Sequence, residues 1–221
     1  MRLLSRLQAL IGGIYDVRIA HDVHDFLVTD RRQLPVAARG GSAEEELLLA
    51  QSPDGAEVAL SLYLDPALLE RLKHADPWRR LDGGNVADCL TALEGVSHFV
   101  YLAWHAAHDQ PVSLLELELQ AEVDKFVASH LLLRRQHPEH FPLELRRVLF
   151  EHAHPDPRLA PGRAELYREA SRYAARFCER LEQGMARARR PGATAEVLAE
   201  LRRFYRLTTA RKRAHIERLT A

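Results

Sequence analysis

Glu94, His98, Glu118 and Glu122 are the residues of this 221-residue chain best placed to do chemistry together. Each pair is spaced four apart, which puts its two members on one face of a helix. Carboxylates and imidazoles projecting from facing helices are how bundle proteins hold metal ions. The usual di-metal spacing is Glu-x-x-His, however, and here it is Glu-x-x-x-His followed by Glu-x-x-x-Glu. Two chemistries follow. One is a divalent metal held by Glu94, His98, Glu118 and Glu122. The other is metal-free acid–base catalysis, with His98 as base, Glu122 and Glu118 as acids, Glu94 as orienter and Tyr101 as proton donor. Against both stand a structural polar seam, pairing His98 with Glu122 and Glu94 with Lys125, and a face simply turned to solvent.

Other residues of suitable type are less well gathered. His137, His140, His152 and His154 make H-x-x-H and H-x-H spacings that suit zinc or nickel, but they lie among prolines with no fixed acidic or thiol ligand. Asp22, His24 and Asp25 cluster ahead of a strand. Cys89 and Cys178, the two cysteines, sit at apolar helical positions and build neither a disulfide framework nor a zinc knuckle; they read as buried thiols of a reducing cytoplasm. No nucleophile elbow, phosphate loop or dinucleotide fingerprint occurs.

The elements that must position the first cluster are two helices within 85–135, the longest nearly continuous apolar stretch of the chain. Asn85 is placed to cap the first. Asp109, Gln110 and Pro111 interrupt the pattern, and Ser113 with Glu116 forms an S-x-x-E capping box for the second. So short a break makes the helices antiparallel neighbours. Folding about residue 110 sets His98 level with Glu122, Tyr101 near Glu118 and Glu94 near Lys125. Leu115, Leu119, Phe126 and Leu133 form one apolar stripe of the second helix, and Leu114, Leu117 and Ala121 another, with Glu118 and Glu122 between.

Before the hairpin come a helix over 2–13 closed by Gly12 and Gly13, a strand at 24–30 and a loop at 31–42. A β-hairpin then runs through 45–51 and 56–64 about Ser52-Pro53-Asp54-Gly55, and a short helix follows Asp65-Pro66. Trp78 anchors the next loop. After the hairpin come a short helix at LELRRVLF, a helix over 162–188 with Leu166, Ala170, Tyr173, Phe177 and Leu181 inward, and a final helix over 194–219. The expected architecture is α+β: a small antiparallel sheet near the N-terminus packed against a predominantly helical body. The chain reads as a single domain over 1–221, its α+β part about 1–75 and its helical part about 85–221.

Apolar residues at 47% and charged residues at 28% describe a soluble globular chain, and no apolar run is long enough to span a bilayer. Net charge is zero, yet residues 1–140 hold 13 Lys and Arg against 21 Asp and Glu, while 141–221 hold 18 against 10. Such a division points to partner contacts or to an intramolecular match, with the basic tail solvated or docked against the acidic first half. Lys73, Lys125 and Lys212 are the only lysines among 31 basic residues, the codon bias of a GC-rich bacterial genome, so arginine richness argues little for nucleic acid. The leading expectation is a cytoplasmic bacterial interaction or regulatory protein whose partner-binding residues are Arg202, Arg203, Arg206, Arg211, Lys212 and Arg213. The metal or acid–base enzyme at the hairpin, with a divalent metal as its cofactor, is the alternative. Nucleic-acid binding by the last helix, through the same arginines with Phe204 and Tyr205 for stacking, is a third.

Overall fold

The computed structural model describes residues 2–51, 58–151, 161–187 and 193–220. It is a mostly helical chain with a three-stranded sheet near its start. In order come α1 (Arg2–Tyr15), β1 (Leu27–Val28), α2 (Val36–Arg39), β2 (Glu45–Gln51), β3 (Val58–Leu64) and α3 (Pro66–His74). They are followed by α4 (Val86–Ala106), α5 (Leu114–Gln136), α6 (Leu145–Phe150), α7 (Pro161–Arg187), α8 (Ala193–Tyr205) and α9 (Thr209–Thr220). The α+β architecture is as the sequence leads one to expect. The Ser52–Gly55 turn and His152 and His154 lie outside the described residues.

The sheet is mixed rather than antiparallel. Its order is β1-β3-β2, with β2 antiparallel to β3 through the hairpin and β1 parallel to β3, Leu27 opposite Leu62. Parallel pairing needs a long crossover, and the stretch between β1 and β3 supplies it by carrying α2 and β2. The strand expected at 24–30 shrinks to two residues because Asp22 accepts the His24 amide and opens a 3-10 turn over Val23–Phe26. The stretch expected as a loop at 31–42 likewise holds a 3-10 turn and α2.

Gly12 and Gly13 do not close α1. The helix runs to Tyr15, and Asp16 adopts φ 53°. The Val17 amide then folds back onto the Gly12 carbonyl at 3.0 Å, and a Cβ on Gly12 would meet the Val17 carbonyl oxygen at 3.1 Å. Asn85 does not cap α4 with its side chain; it accepts the Asp82 amide and donates to the carbonyls of Ala75 and Arg80, pinning the preceding loop. Asp65 caps α3 and Ser113 caps α5, both as their sequences indicate. Trp78 is half-buried with the Arg6 guanidinium 4.4 Å from its ring centre.

The core is centred on α4 and α5. The sheet packs on α4 through β2 and β3, α1 crosses α4, and α7 lies along α5. Leu119, Val123 and Phe126 of α5 and Val96 and Phe99 of α4 are fully buried. Stacked rings tie in the C-terminal part: Tyr15 on Tyr205 at 4.2 Å and Phe177 on Phe204 at 3.9 Å. The continuous helix expected over 194–219 is two helices, broken at Arg206–Thr208.

Candidate functional site

LELELQAEVD, at 114–124 without its first leucine, alternates polar and apolar residues within one helix. At about 100° per residue, positions two apart lie on opposite faces. Glu116, Gln120 and Asp124 therefore form one stripe of α5, and Glu118 and Glu122 the other. Because α5 is enclosed on all sides, both stripes are buried or nearly so.

On the first side, Glu118 meets Glu94 and His98 of α4. Among the described residues, these three bring one possible ligand atom each within 4.8 Å of one another. Glu118 Oε2 lies 3.6 Å from His98 Nε2, and Glu45 Oε1, reaching in from β2, lies 3.7 Å from His98 Nδ1. Both separations exceed hydrogen-bonding reach, and both His98 Nε2 and Glu45 Oε1 are buried without a hydrogen-bond partner. Donors 3.6 Å apart match the edge of a coordination shell with metal–ligand bonds of about 2.1 Å. A carboxylate on the far nitrogen is how a ligating imidazole is ordinarily held and oriented. Glu94, His98 and Glu118 could thus hold an ion, with Glu45 orienting the ring.

Gly95 makes the approach of β2 possible. A Cβ there would lie 2.7 Å from Leu62 Cδ1 and 2.9 Å from Glu45 Cγ. Glycine inside a helix costs about 0.5–1 kcal/mol relative to alanine, so this position trades helix propensity for a close strand.

The electrostatics ask for a cation between the carboxylates. Burial acts to depress His98, while the neighbouring carboxylates of Glu118 and Glu45 act to raise it. Burial, with Glu94 and Glu118 adding to it against the pull of His98, raises Glu45. Burial also acts to raise Glu94, but Lys125 and His98 prevail and hold it below the usual carboxylate range. A positive charge among these carboxylates, on the imidazole or on a metal ion, would offset theirs.

Glu122 is not part of the cluster. Lys125 takes it at 2.5 Å and Glu94 Oε2 at 2.9 Å, so the expected Glu94–Lys125 contact forms and the expected His98–Glu122 contact does not. Tyr101 is also elsewhere. Three residues beyond His98, it is turned by about 60° around α4, which brings it to the other side of α5. There its hydroxyl donates to Glu116 at 2.6 Å, not to Glu118. The acid–base set of His98, Glu122 and Tyr101 is therefore not assembled.

That second side was missed in the sequence. Asp124, at 1% exposure, accepts from Tyr15, from Ser97 at 2.5 Å and from Gln120 at 2.8 Å. Gln120 in turn accepts from Lys212 at 2.7 Å. Glu116 does not return to the Ser113 amide as a capping box would have it. Instead it accepts the Thr209 amide at 2.7 Å and hydroxyl at 2.6 Å, capping α9 from a distance and fixing the break after α8. The four-residue spacing of Glu116, Gln120 and Asp124 was the available clue.

The basic tail is largely engaged within the molecule. Lys212 is fully buried, its ammonium over the rings of Tyr101 and Phe204, and so is not a surface residue as expected. Arg202 and Arg206 donate to the carbonyls of Ile14, Tyr15 and Asp16, closing the C-terminal end of α1. Arg213 bonds the Tyr173 hydroxyl at 3.1 Å and faces Glu169. Arg203 and Arg211 are exposed. His137 and His140 are exposed beside an apolar groove. Cys89 and Cys178 are buried free thiols; burial, with Asp76 and Asp88 nearby, pushes Cys89 up to about 12. No helix among the described residues is long and apolar enough to cross a membrane. Compared with known protein families, curated proteins and solved structures, the chain matches none of them.

Proposed function

We propose that this chain is a metalloprotein that holds one divalent cation between α4 and α5, with Glu94, His98 and Glu118 as ligands and Glu45 as the carboxylate that orients His98. The observation that carries the reading is His98 Nε2, buried and without a hydrogen-bond partner at the point where Glu94 and Glu118 converge. An unsatisfied buried donor or acceptor costs about 1–3 kcal/mol, so a ligand there returns stability that the protein alone forgoes. Two carboxylates and one imidazole, with no thiolate, suit Mn(II), Fe(II) or Zn(II) rather than a soft ion.

The cavities lined by Val127 and Leu201, by Leu81 and Val148, and by Val28 and Leu49 include none of the cluster residues. The ion bridges α4 and α5, and Glu45 ties β2 to it through His98. Glu94, whose side chain is 25% exposed, marks the side open to solvent.

The test is elemental analysis of protein purified without a histidine tag, then chelator-stripped and titrated separately with Mn(II), Fe(II) and Zn(II). At a metal concentration about 100 times Kd, binding adds about 2.7 kcal/mol, a rise in Tm of roughly 5–10 °C for a chain of this size. His98→Ala and Glu118→Gln should lose both the metal and the rise in Tm. Absence of stoichiometric metal together with no shift from any of the three ions would overturn the reading and leave an imidazolium–carboxylate seam.

A further inference from the structure

About 18 Å along α5 from Glu118, at a rise of 1.5 Å per residue, His130 and Arg134 border a cavity of about 230 Å³. Its walls are apolar, contributed by Val127 and Leu131 of α5, Met185 of α7 and Leu201 of α8. Leu131 is 37% exposed and stands at the open side. A dry apolar cavity of roughly 150 Å³ accepts benzene, so this one has room for a larger hydrocarbon body with a polar end.

The polar end is specified by two side chains. His130 is buried, at 5% exposure, and its Nδ1 has no hydrogen-bond partner. Burial first, and then the charge of Arg134, lower its pKa to about 4. The ring is neutral in ordinary buffers and offers hydrogen bonding rather than charge. Arg134 is held by its Nη1, which donates to the carbonyls of Pro138 and, at 3.0 Å, His140. Among the described residues its Nε and Nη2 have no acceptor and it forms no ion pair. A fixed guanidinium with free donors beside an apolar cavity is complementary to a carboxylate, which it can engage with two parallel bonds. One arginine and a neutral imidazole suit a single negative charge better than a phosphate dianion.

We propose that this cavity is a binding site for a small monocarboxylate with an apolar body, such as a medium-chain alkanoate or an aryl acid. The carboxylate pairs with Arg134 beside His130, and the hydrocarbon lies among Val127, Leu131, Met185 and Leu201. The proposal is independent of the metal reading, since neither residue set touches the other.

Calorimetric titration of the full chain with octanoate tests it, with octanol and octanamide as uncharged probes of the same length. The expected result is saturable one-to-one binding of octanoate, at least tenfold tighter than either uncharged probe. Arg134→Gln should remove that tenfold preference, and Leu198→Trp, at a position of α8 that also lines the cavity, should fill it with the guanidinium left in place and abolish binding. Circular dichroism melts establish that each variant is folded, and the comparison of probes on the wild type stands without any variant. No saturable octanoate binding at millimolar concentration, or equal affinity for octanoate and octanol, would overturn the proposal. So would unaltered octanoate binding in a folded Arg134→Gln or Leu198→Trp variant.

Discussion

Opposite faces of α5 bury carboxylates in opposite ways. On the face toward α1 and α9, Asp124 has three side-chain donors and Glu116 has the Tyr101 hydroxyl and both donors of Thr209. On the face toward β2, Glu45 and Glu118 approach His98 without reaching hydrogen-bond distance. Protein interiors pair nearly all of their buried polar groups. The carboxylates of the first face are therefore satisfied as folded, although the Tyr205 hydroxyl beside them has no partner, and the face fastens the C-terminal helices onto the hairpin. The second leaves His98 Nε2 and Glu45 Oε1 without partners. A count of buried charges does not distinguish the two faces, but a census of their hydrogen-bond partners does.

The sharpest way to break the comparison is Asp124→Ala. It strands the hydroxyls of Tyr15 and Ser97 and the amide of Gln120, all in the interior. Removing one partner of a buried charged network costs about 3–5 kcal/mol, so we expect a loss of that size in urea denaturation. Metal content should not change in the folded fraction. Glu118→Gln should behave in the reverse way, with a small change in metal-free stability and loss of the ion. If Asp124→Ala costs less than about 1 kcal/mol, that face is not the completed structural network described above.

A smaller effect with a defined sign comes from Lys212. Burial lowers its pKa to about 7, although Glu116 and Asp124 draw it upward. Gln120 and Asp124 of α5, Tyr101 of α4 and Phe204 of α8 are the groups around it. Between about pH 7 and about 10.5 the unfolded chain holds a proton on this lysine that the folded chain does not, so this group makes stability rise with pH across that window. Below about 7 both states are protonated and the contribution is flat at its least favourable value. Lys212→Met should flatten the rise measured by denaturation at pH 7, 8 and 9. A wild-type slope preserved in Lys212→Met would assign it to other groups.

Much of this organisation was legible in the sequence, and the parts that were not share a cause. Caps and punctuation located the hairpin and the capped starts of α3 and α5, because Ser113 and Asp65 act on amides two or three residues away. Pairing across the hairpin was legible only to about one turn: Glu94 found Lys125, but His98 found Glu118 in place of Glu122. Lys125 decides that choice by claiming Glu122 one turn away in its own helix. Glu45 could not have been assigned to the site, since its approach depends on Gly95 and on a strand joined to α4 only through space. Lys212 read as part of an exposed RKR run because nothing within α9 shows that a break after Tyr205 turns that position inward.

Glu122→Gln is the smallest change and tests where the boundary of the cluster lies. Burial raises the Glu122 pKa against the pull of Lys125, and its side chain is 20% exposed. Partly exposed ion pairs contribute about 0–1 kcal/mol, and Lys125 retains Glu94 in the variant. The expected outcome is a stability change under about 1 kcal/mol and unaltered metal stoichiometry and affinity in the same titrations that Glu118→Gln fails. The two glutamates are one helical turn apart and chemically identical, so only geometry separates them. If Glu122→Gln loses the ion as Glu118→Gln does, the ligand set extends along the whole stripe, and Lys125 is then a cation that the metal displaces rather than a neighbour that holds Glu122 aside.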